Sequence, residues 1–397
     1  MKKSLFLLTL CIMMGTAASA YDFVSVCPTG QRLGYYILSN NPPEVVLMEC
    51  LDFEGGVTIP ETVSLDFTDY TVVSIASQAF KGGCLSYNFS GPLVIPNTVR
   101  EIGARAFWDC WFTGPLVIPN SVEIIGESAF YGCRKFTSLT LSESLTEIEN
   151  NTFCECDEMR GDLVIPESVI WVDNEGFNRC AFDGTLYLSP NMPYVLTGSF
   201  MECYNLTGIV IPEGVQFVDW NAFDFLTKPT ELELPSTLSF IEDRAFCNLV
   251  KLTQMTVNAT TPPGIMDETF QRVNHNIPVY IPIGTKEAYE NAPNWSEFTN
   301  FIELAGVGLA EQESEATAMI YPNPGKNVLN IRTGLQNTRV EVYDMSGRLI
   351  HSQALTENVT AIDAGDWAEG VYVWKVYTTG VSTGSTTLAE TGKWVKE

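Results

Sequence analysis

The sequence predicts a mainly β protein, in which a solenoid of stacked coils of about 23 residues is followed by a small antiparallel β-sandwich. Two markers keep this period along most of the chain, and a stretch of short strand-like segments follows them. The first marker is a proline, at Pro60, Pro96, Pro119, Pro166, Pro212, Pro235 and Pro282. The second is a phenylalanine, at Phe107, Phe130, Phe153, Phe177, Phe200, Phe223, Phe246 and Phe270. Two independent markers in one register predict a repeat architecture.

The N-terminal segment has the pattern of a secretory signal peptide. Lys2 and Lys3 precede an apolar stretch over 5–14, and Ala18-Ser19-Ala20 follows as a small-residue cleavage site. This stretch is too short to cross a bilayer, which needs about 20 apolar residues. No later stretch is long and apolar enough for a transmembrane helix. We therefore predict a signal peptide over 1–20 and no transmembrane segment after its removal.

The charge of the chain argues against a nucleic-acid partner. The chain has 22 basic and 48 acidic residues and a formal net charge of −26, a balance that repels phosphate backbones. Hydrophobic residues make up 45% of the chain and can supply a core, which excludes a disordered protein. We predict a surface protein that binds no nucleic acid, and a basic partner would suit its charge.

One coil shows how the repeat unit is expected to fold. Its first strand alternates, with Leu116 and Ile118 inward and Val117 outward. Pro119 then ends the strand, because proline cannot donate to a strand ladder, and the chain returns inward at Phe130. A single coil cannot bury its apolar edge, whereas stacked coils can, so folding depends on the array.

The pattern Leu-x-Ile-Pro-x-Ser-Val-x-x-Ile-Gly-x-x-Ala-Phe-x-x-Cys, from Leu116 to Cys133, resembles the BspA-like leucine-rich repeats of bacterial surface proteins. The resemblance implies a leucine-rich-repeat solenoid over 58–303, preceded by an N-terminal cap over 21–57. It also implies adhesion to host proteins or to other cells, without identifying the ligand.

Five cysteines stand three residues after the repeat phenylalanine, at Cys110, Cys133, Cys156, Cys180 and Cys203. Equivalent side chains on stacked coils point the same way at about 4.8 Å spacing, whereas the Cβ atoms of a disulfide converge to about 3.5–4.5 Å. We therefore predict a column of buried thiols rather than disulfides. The redox state of Cys27 and Cys50 in the cap stays open. Cys154 and Cys156 form a lone CxC without a second pair or a nearby histidine, so no metal site is predicted.

An acidic segment with Glu311, Glu313 and Glu315 follows the solenoid and carries no repeat marker. We predict a linker over 304–318. Beyond it, short strand-like segments such as 371–377 alternate with turn residues, which predicts a small antiparallel sandwich.

Motifs in this last segment resemble the type IX secretion sorting domain. They are Tyr321-Pro322-Asn323-Pro324, then Asp344-Met345-Ser346-Gly347-Arg348, then Gly370-Val371-Tyr372, and a basic tail with Lys393 and Lys396. The resemblance implies a sorting domain over 319–397. It also implies the type IX secretion machinery as a partner, and a route through the periplasm to the bacterial cell surface at the outer membrane. Whether the domain is then cleaved stays open.

Catalytic chemistry is not indicated by any motif. The 2 histidines, His275 and His351, lie outside every metal-binding spacing. The stretch from Gly380 to Gly384 matches the G-x-S-x-G hydrolase pattern, but no histidine follows Ser382 to complete a triad. We predict a protein that is not an enzyme and that has no catalytic, cofactor-binding or metal-binding residues.

The candidate ligand-binding residues share one register of the repeat and are called here the aromatic ladder: Trp171, Tyr194, Phe217 and Phe240. Each directly precedes an apolar residue expected to face the core, such as Val172 or Ile241, so the alternation points the aromatics outward. An exposed apolar stripe usually marks an interaction site. Two alternatives are that the ladder only rigidifies the solenoid and that a bend turns it inward. A second outward series, called the apolar row, comprises Val94, Val117, Val164, Tyr187 and Val210.

Together these observations predict an exported cell-surface protein. Its solenoid is expected to bind a protein or glycan partner on host or neighbouring cells, and its C-terminal domain to direct secretion and surface attachment. The alternatives are an accessory to a glycan- or peptide-processing hydrolase and a structural component of a surface layer. The ligand, the binding face and the oligomeric state stay open.

Overall fold

The structure is a computed structural model that describes residues 21–81, 89–304, 319–321, 328–332, 338–344, 348–355, 359–368, 370–379 and 386–396. The predicted signal peptide over 1–20, Cys84 and most of the predicted linker lie outside these residues. The chain forms two compact units, Met1–Gly306 and Val307–Glu397, each with its own buried core.

The first unit opens with five strands of one sheet: β1 (Phe23–Val26), β2 (Arg32–Asn40), β3 (Pro43–Cys50), β5 (Thr62–Leu65) and β6 (Thr68–Ile75). Strands β1 to β3 are antiparallel, β3 pairs in parallel with β6, and β5 and β6 form a hairpin. Inside this cap, Phe23 stacks on the buried Tyr35 with ring centroids 5.6 Å apart. Ile75 pairs in parallel with Ile102, so the cap sheet continues directly into the solenoid.

In the solenoid, strands from successive coils line up in two ribbons. The first ribbon consists of β4 (Val57–Thr58), β7 (Leu93–Val94), β9 (Gly114–Val117), β11 (Phe136–Thr140), β13 (Leu163–Val164), β15 (Thr185–Tyr187), β17 (Gly208–Val210), β19 (Glu231–Leu234), β21 (Gln254–Val257), β23 (Val279–Pro282) and β24 (Phe301–Leu304). The second ribbon consists of β8 (Glu101–Ile102), β10 (Ile124–Ile125), β12 (Glu147–Ile148), β14 (Trp171–Val172), β16 (Tyr194–Val195), β18 (Phe217–Val218), β20 (Phe240–Ile241) and β22 (Gly264–Ile265). Paired strands within each ribbon run parallel, as at Phe217 and Phe240, which are 23 residues apart (240 minus 217). The predicted solenoid is confirmed.

The repeat phenylalanines form the centre of the solenoid core. From Phe107 to Phe270 their rings stack coil upon coil, with centroids 5.1 to 5.7 Å apart. Interplanar angles of 5 to 15° keep the rings nearly parallel along the whole stack. Each ring therefore fills the space between the rings of its two neighbours, which ties the stability of one coil to the next.

The turn that carries each phenylalanine is tight. Residues two positions before and two positions after it take the left-handed conformation, as at Asn151 (φ 55°) and Glu155 (φ 60°) around Phe153. One coil places Gly132 at the second of these positions, where glycine has no steric penalty (φ 67°). Gly198 occupies the first of these positions before Phe200 (φ 61°). At most of the others non-glycine residues accept this strain, because backbone hydrogen bonds to the next coil hold the turn, as from Phe153 N to Gly176 O at 2.9 Å.

The predicted thiol column lies beside the phenylalanine stack, and its members are buried. The sulfur of Cys180 donates to the carbonyl of Phe153 at 3.0 Å, and Cys203 donates to Phe177 at 3.1 Å. A cysteine therefore fills this slot both as a small apolar side chain and as a weak donor to the preceding coil. Cys156, Cys180 and Cys203 are unbridged.

We expect Cys156, Cys180 and Cys203 to resist alkylation in the native protein and to react fully after denaturation without reductant. All three side chains are buried, and burial raises the pKa of each thiol, so little reactive thiolate forms. Mass spectrometry of peptides from the two samples measures the difference, with a reduced, denatured sample as the control. A peptide that reacts only after reduction would show a disulfide and contradict the column.

The solenoid ends in a short cap. Helix α1 (Lys286–Asn291) and a 3-10 turn (Trp295–Glu297) close the last coil between β23 and β24. Trp295 is fully buried, and its indole N–H donates to the carbonyl of Pro263 at 2.8 Å. The hydroxyl of the buried Tyr289 donates to the carbonyl of Ala259 at 2.7 Å. Among the residues that the structure describes, no helix has the length and apolar character to span a membrane.

The described residues of the second unit form seven strands: β25 (Met319–Tyr321), β26 (Val328–Arg332), β27 (Thr338–Asp344), β28 (Leu349–Leu355), β29 (Val359–Asp363), β30 (Gly370–Thr379) and β31 (Thr386–Lys396). They form two antiparallel sheets, in the orders β25-β26-β29 and β28-β27-β30-β31. Leu329 and Ile362 of one sheet share a buried cluster with Val340 and Trp374 of the other. The predicted small antiparallel sandwich is confirmed.

Several residues of the predicted sorting motif, among them Tyr321, Gly370 and Tyr372, fall within the described part of this unit. Tyr321 ends β25 and Gly370 begins β30. Tyr372 is buried, and its hydroxyl donates to the carbonyl of Ala368 at 2.7 Å. Pro322, Asn323, Pro324 and Gly347 of the motif lie outside the described residues.

The last lysine of this motif, Lys396, is part of the fold rather than an exposed charge. The Nζ of Lys396 is buried and donates to the carbonyls of Ala364 at 2.6 Å, Gly365 at 2.8 Å and Trp367 at 2.6 Å. Three acceptors satisfy the ammonium group, which a buried charge requires. Trp394, two residues earlier, is fully buried.

Candidate binding surface

The aromatic ladder lies on the outer side of the second ribbon. The residues that follow its four members, Val172, Val195, Val218 and Ile241, are all fully buried. Trp171 is 42% exposed and Tyr194 is 49% exposed. Phe217 and Phe240 are half-buried and therefore less exposed than Trp171 and Tyr194. The aromatic ladder is thus less uniformly exposed than the sequence predicted.

Contacts between neighbouring rings explain this gradient of exposure. Phe217 and Phe240 stack with centroids 5.7 Å apart and planes 11° apart, so each covers one face of the other. Tyr194 meets Phe217 edge to face at 6.4 Å and 61°. At the other end of the ladder, the ring of Phe240 lies over Gly264. A Cβ atom added to Gly264 would come within 2.5 Å of Cδ2 of Phe240. The ladder therefore packs tightly at its Phe240 end and presents its rings at the Trp171 end.

The second ribbon is interrupted between β14 and β16, which belong to separate sheets. Ile170 and Gln216 directly precede two aromatic residues of the ladder. Their backbone N–H groups donate to carbonyl oxygens of the preceding coil at 2.9 and 2.8 Å. Pro193 occupies the equivalent position and has no N–H to donate. Trp171 and Tyr194 therefore stand on either side of a weak point in the ribbon.

A second series, which we call the carboxylate column, flanks the ladder: Glu149, Asp173, Asp219 and Glu242. Asp173, Asp219 and Glu242 each follow a ladder residue by two positions, and alternation places them on the same outward side. All four carboxylates are half-buried. Asp219 accepts hydrogen bonds from Thr197 Oγ1 at 2.8 Å and from the backbone N–H of Trp220 at 2.7 Å. The sequence analysis missed this column, although its spacing of two residues from the aromatics was visible.

The carboxylate column carries uncompensated negative charge. None of its members forms an ion pair with a basic side chain in the described solenoid. Burial raises the pKa of Glu149, and the nearby carboxylates of Glu147, Glu127 and Asp173 raise it further. The surface beside the aromatic rings is therefore negative and only partly hydrated.

The apolar row of the first ribbon is also outward. Its exposed fractions are 45% for Val94, 51% for Val117, 57% for Val164, 41% for Tyr187 and 45% for Val210. Thr140 occupies the same register between Val117 and Val164 and interrupts the row. Glu233 occupies it after Val210 and ends the row. A shallow polar groove of about 300 Å³ lies beyond it, lined by Thr207, Thr230 and Glu233 among others. This face is the second candidate surface.

In the described part of the chain, the two histidines contact a carbonyl, a carboxylate and an amide group. His275 Nε2 lies 3.4 Å from the carbonyl of Phe270 and its Nδ1 lies 3.4 Å from Glu297. His351, in the other unit, contacts Gln353 at 3.1 Å. Within the described residues, no group of three or more His, Cys, Asp or Glu side chains is arranged to hold a metal ion.

Two family models match the chain. The BspA type leucine-rich repeat region matches residues 61–183 and 193–302, in 6 copies. The secretion system C-terminal sorting domain matches residues 319–387. No curated protein matches the chain.

Solved structures of bacterial leucine-rich-repeat proteins are similar at low identity. A leucine-rich cell surface protein from Faecalibacterium prausnitzii is 18% identical over 73% of this chain and 97% of its own, with a TM-score of 0.40. The T. pallidum leucine-rich repeat protein is 22% identical over 52% of this chain and 86% of its own, with a TM-score of 0.39. The pneumococcal vaccine antigen PcpA is 12% identical over 72% and 100%, with a TM-score of 0.35.

The repeat model covers more than half of the chain, in the same region as the two stacked ribbons. The sorting-domain model covers most of the small sandwich. The chain therefore belongs to the BspA-type leucine-rich-repeat family, and it is a secreted cell-surface protein with a C-terminal type IX sorting domain.

Proposed function

We propose that the solenoid binds a protein or glycan partner on host or neighbouring cells, and that the aromatic ladder is the contact surface. The observation that carries this proposal is the exposure of Trp171 and Tyr194 on adjacent coils. Large aromatic side chains that leave water supply much of the energy of an interface and lose little conformational entropy. These two aromatic side chains are not needed to fill the core, because the buried residue that follows each of them already packs there.

Recognition rather than catalysis is the role that this surface supports. The ladder supplies apolar area and ring faces, and its flanking groups are carboxylates that hydrogen-bond to their own turns. Such a surface is suited to hold a partner in place. The proposal therefore assigns adhesion or recognition to the solenoid and delivery to the sorting domain.

We expect the double substitution Trp171→Ser with Tyr194→Ser to abolish partner binding and to leave the fold intact. Both side chains are exposed, so serine removes apolar contact surface without opening a cavity, and stability should change by no more than about 0.5 kcal/mol per site. The measurement is an array of glycans and matrix proteins probed with the mature protein, beside thermal melts followed by circular dichroism. Tyr187→Ser is the matched control, because Tyr187 is an equally exposed aromatic on the other ribbon.

Two outcomes would contradict the assignment. A folded double variant that binds as the unaltered protein does would move the site to the apolar row, with Val117 and Val164 the next residues to change. An unfolded double variant would show that the ladder supports the core, which the exposure of Trp171 and Tyr194 argues against.

A further inference from the structure

We propose that the occupant of the aromatic ladder is a basic polypeptide segment, an extended stretch rich in lysine or arginine that lies across the coils. This inference rests on the proposed function and names the class of partner. It combines two features of one surface, the exposed ring faces and the carboxylates beside them.

The rings supply the first half of the recognition. Trp171 and Tyr194 are the two most exposed members of the ladder. The face of an aromatic ring carries partial negative charge, which attracts the cations of lysine and arginine, and tryptophan is the best acceptor. The apolar stems of the same side chains can also pack against the exposed edge of Phe217.

The carboxylate column supplies the second half, and its charges lack the ion pairs that the acids beside the phenylalanine turns make. On the side of the phenylalanine turns, acids are neutralised by arginines of neighbouring coils: Glu155 and Asp157 by Arg134, and Glu202 by Arg179 at 2.8 Å. No comparable ion pair reaches Asp173, Asp219 or Glu242 within the described solenoid. Unpaired acids such as Glu143 and Glu231 also lie elsewhere on the described solenoid, so the column is distinguished by its position beside exposed aromatic rings.

The sequence of these coils leaves no basic residue to fill that role. Residues 161–253, which make up the four coils of the ladder, contain 13 acidic side chains and 4 basic ones, Arg179, Lys228, Arg244 and Lys251. Arg244 pairs with Asp224 at 3.2 Å. Arg179 pairs with Glu202 and Lys228 donates to Asn205 at 2.9 Å. None of these four basic side chains forms an ion pair with the carboxylate column in the described solenoid, so an external cation is the complementary partner.

The shape of the surface fits a chain rather than a single small cation. Four coils at about 4.8 Å spacing make the ladder about 14 Å long. An extended polypeptide places every second side chain on one face at about 6.6 Å intervals, so a short segment can set two or three cations against the rings and carboxylates. A carboxylate stands beside three of the four rings, which makes charge density, rather than a unique sequence, the feature recognised.

The probe is a fluorescent synthetic peptide that alternates lysine and serine, with a glutamate–serine peptide as its counterpart. Titrations of the mature protein, followed by fluorescence anisotropy at low and high salt, measure the affinity. We expect the lysine peptide alone to bind, and its affinity to fall at high salt, since exposed charges are screened within about 10 Å at 0.1 M ionic strength. Asp173→Asn with Asp219→Asn should weaken binding by about tenfold or more, since these substitutions remove charge but keep size and hydrogen-bond acceptors. Trp171→Ser with Tyr194→Ser should weaken it similarly.

Matched controls separate this site from general attraction to an acidic protein. Glu143→Gln with Glu167→Gln changes the net charge by the same amount, at exposed carboxylates on the corner between the ribbons. These substitutions should leave the affinity nearly unchanged. Equal losses in both carboxylate pairs would overturn the proposal in favour of non-specific attraction.

The remaining outcomes distinguish this inference from the proposed function. If the lysine peptide does not bind, while the ladder variant loses a neutral glycan or an acidic protein on the array, the basic partner is wrong and the ladder remains the site. If the lysine peptide binds the unaltered protein and the ladder variant equally well, the basic partner of the ladder is wrong, and the array result alone decides whether the ladder remains the site. Self-association of the unaltered protein through the ladder, lost in the ladder variant, would also overturn the basic partner.

Discussion

Replacing Phe130 by alanine should lower the free energy of unfolding by about 3–5 kcal/mol, the usual cost of truncating a fully buried phenylalanine. Phe130 has no exposed surface and lies between the rings of Phe107 and Phe153, at centroid distances of 5.1 and 5.5 Å. The ring of Phe136 meets it edge-on at 6.4 Å. Alanine removes the contacts to all three rings at once and leaves a cavity that the backbone ladders on both sides prevent from closing.

This damage should spread along the solenoid, because each coil is stabilised mainly by its neighbours. Chemical denaturation followed by circular dichroism measures the loss, and a broadened transition would reveal coils that unfold separately. Phe67→Ala is the matched control, since Phe67 is fully exposed at the tip of the β5–β6 hairpin. We expect its stability to change by no more than about 0.5 kcal/mol. An unchanged midpoint for Phe130→Ala would show that the phenylalanine stack does not carry the core.

Deleting 319–397 should leave a folded solenoid that accumulates in the periplasm and does not reach the cell surface. The two units have separate buried clusters, so removing the sandwich takes no residue from the solenoid core. The sandwich carries the sorting-domain match, and without it the secretion machinery has no signal to bind. Fractionation of expressing cells, with protease accessibility as the second readout, measures the location. Normal surface display of the truncated protein would contradict the assignment.

A point substitution tests whether the fold of the sandwich, rather than its mere presence, directs export. Tyr372→Ala removes a buried ring that packs against Trp367 at 5.1 Å and Trp394 at 6.0 Å. We expect this variant to be retained in the periplasm in the way that the deletion is. Leu349→Ala is the control, because Leu349 is 49% exposed on the same unit and should be displayed normally.

The solenoid could be predicted from the sequence because stacking repeats the same environment in every coil. A slot that is buried in one coil is buried in the next, so the phenylalanine at Phe130 and the cysteine at Cys180 recur at one spacing. The outward direction of Trp171 followed from the buried Val172 beside it, since neighbouring strand residues face opposite sides.

The exposure of the ladder members could not be predicted in the same way. Phe217 is covered by Phe240, and Phe240 by its approach to Gly264, and these contacts depend on ring orientation rather than on period. The break at Pro193 depends on which backbone N–H groups bridge the coils. The lack of ion pairs at the carboxylate column could be recognised only in the structure, which shows that arginines beside the phenylalanine turns pair with other acids.

The parallel ribbons also determine how this protein responds to a pulling force. Each coil is hydrogen-bonded only to the coil before it and the coil after it, as between Val279–Pro282 and Phe301–Leu304 at the last position. Tension applied to the chain at Leu304 would therefore load one row of hydrogen bonds at a time, and coils should detach in sequence. Each released coil of 23 residues adds about 70–80 Å of extended chain. Under such a force the chain would lengthen in steps as coils detach from the Leu304 end. A partner bound to coils that are still stacked would remain bound during this lengthening.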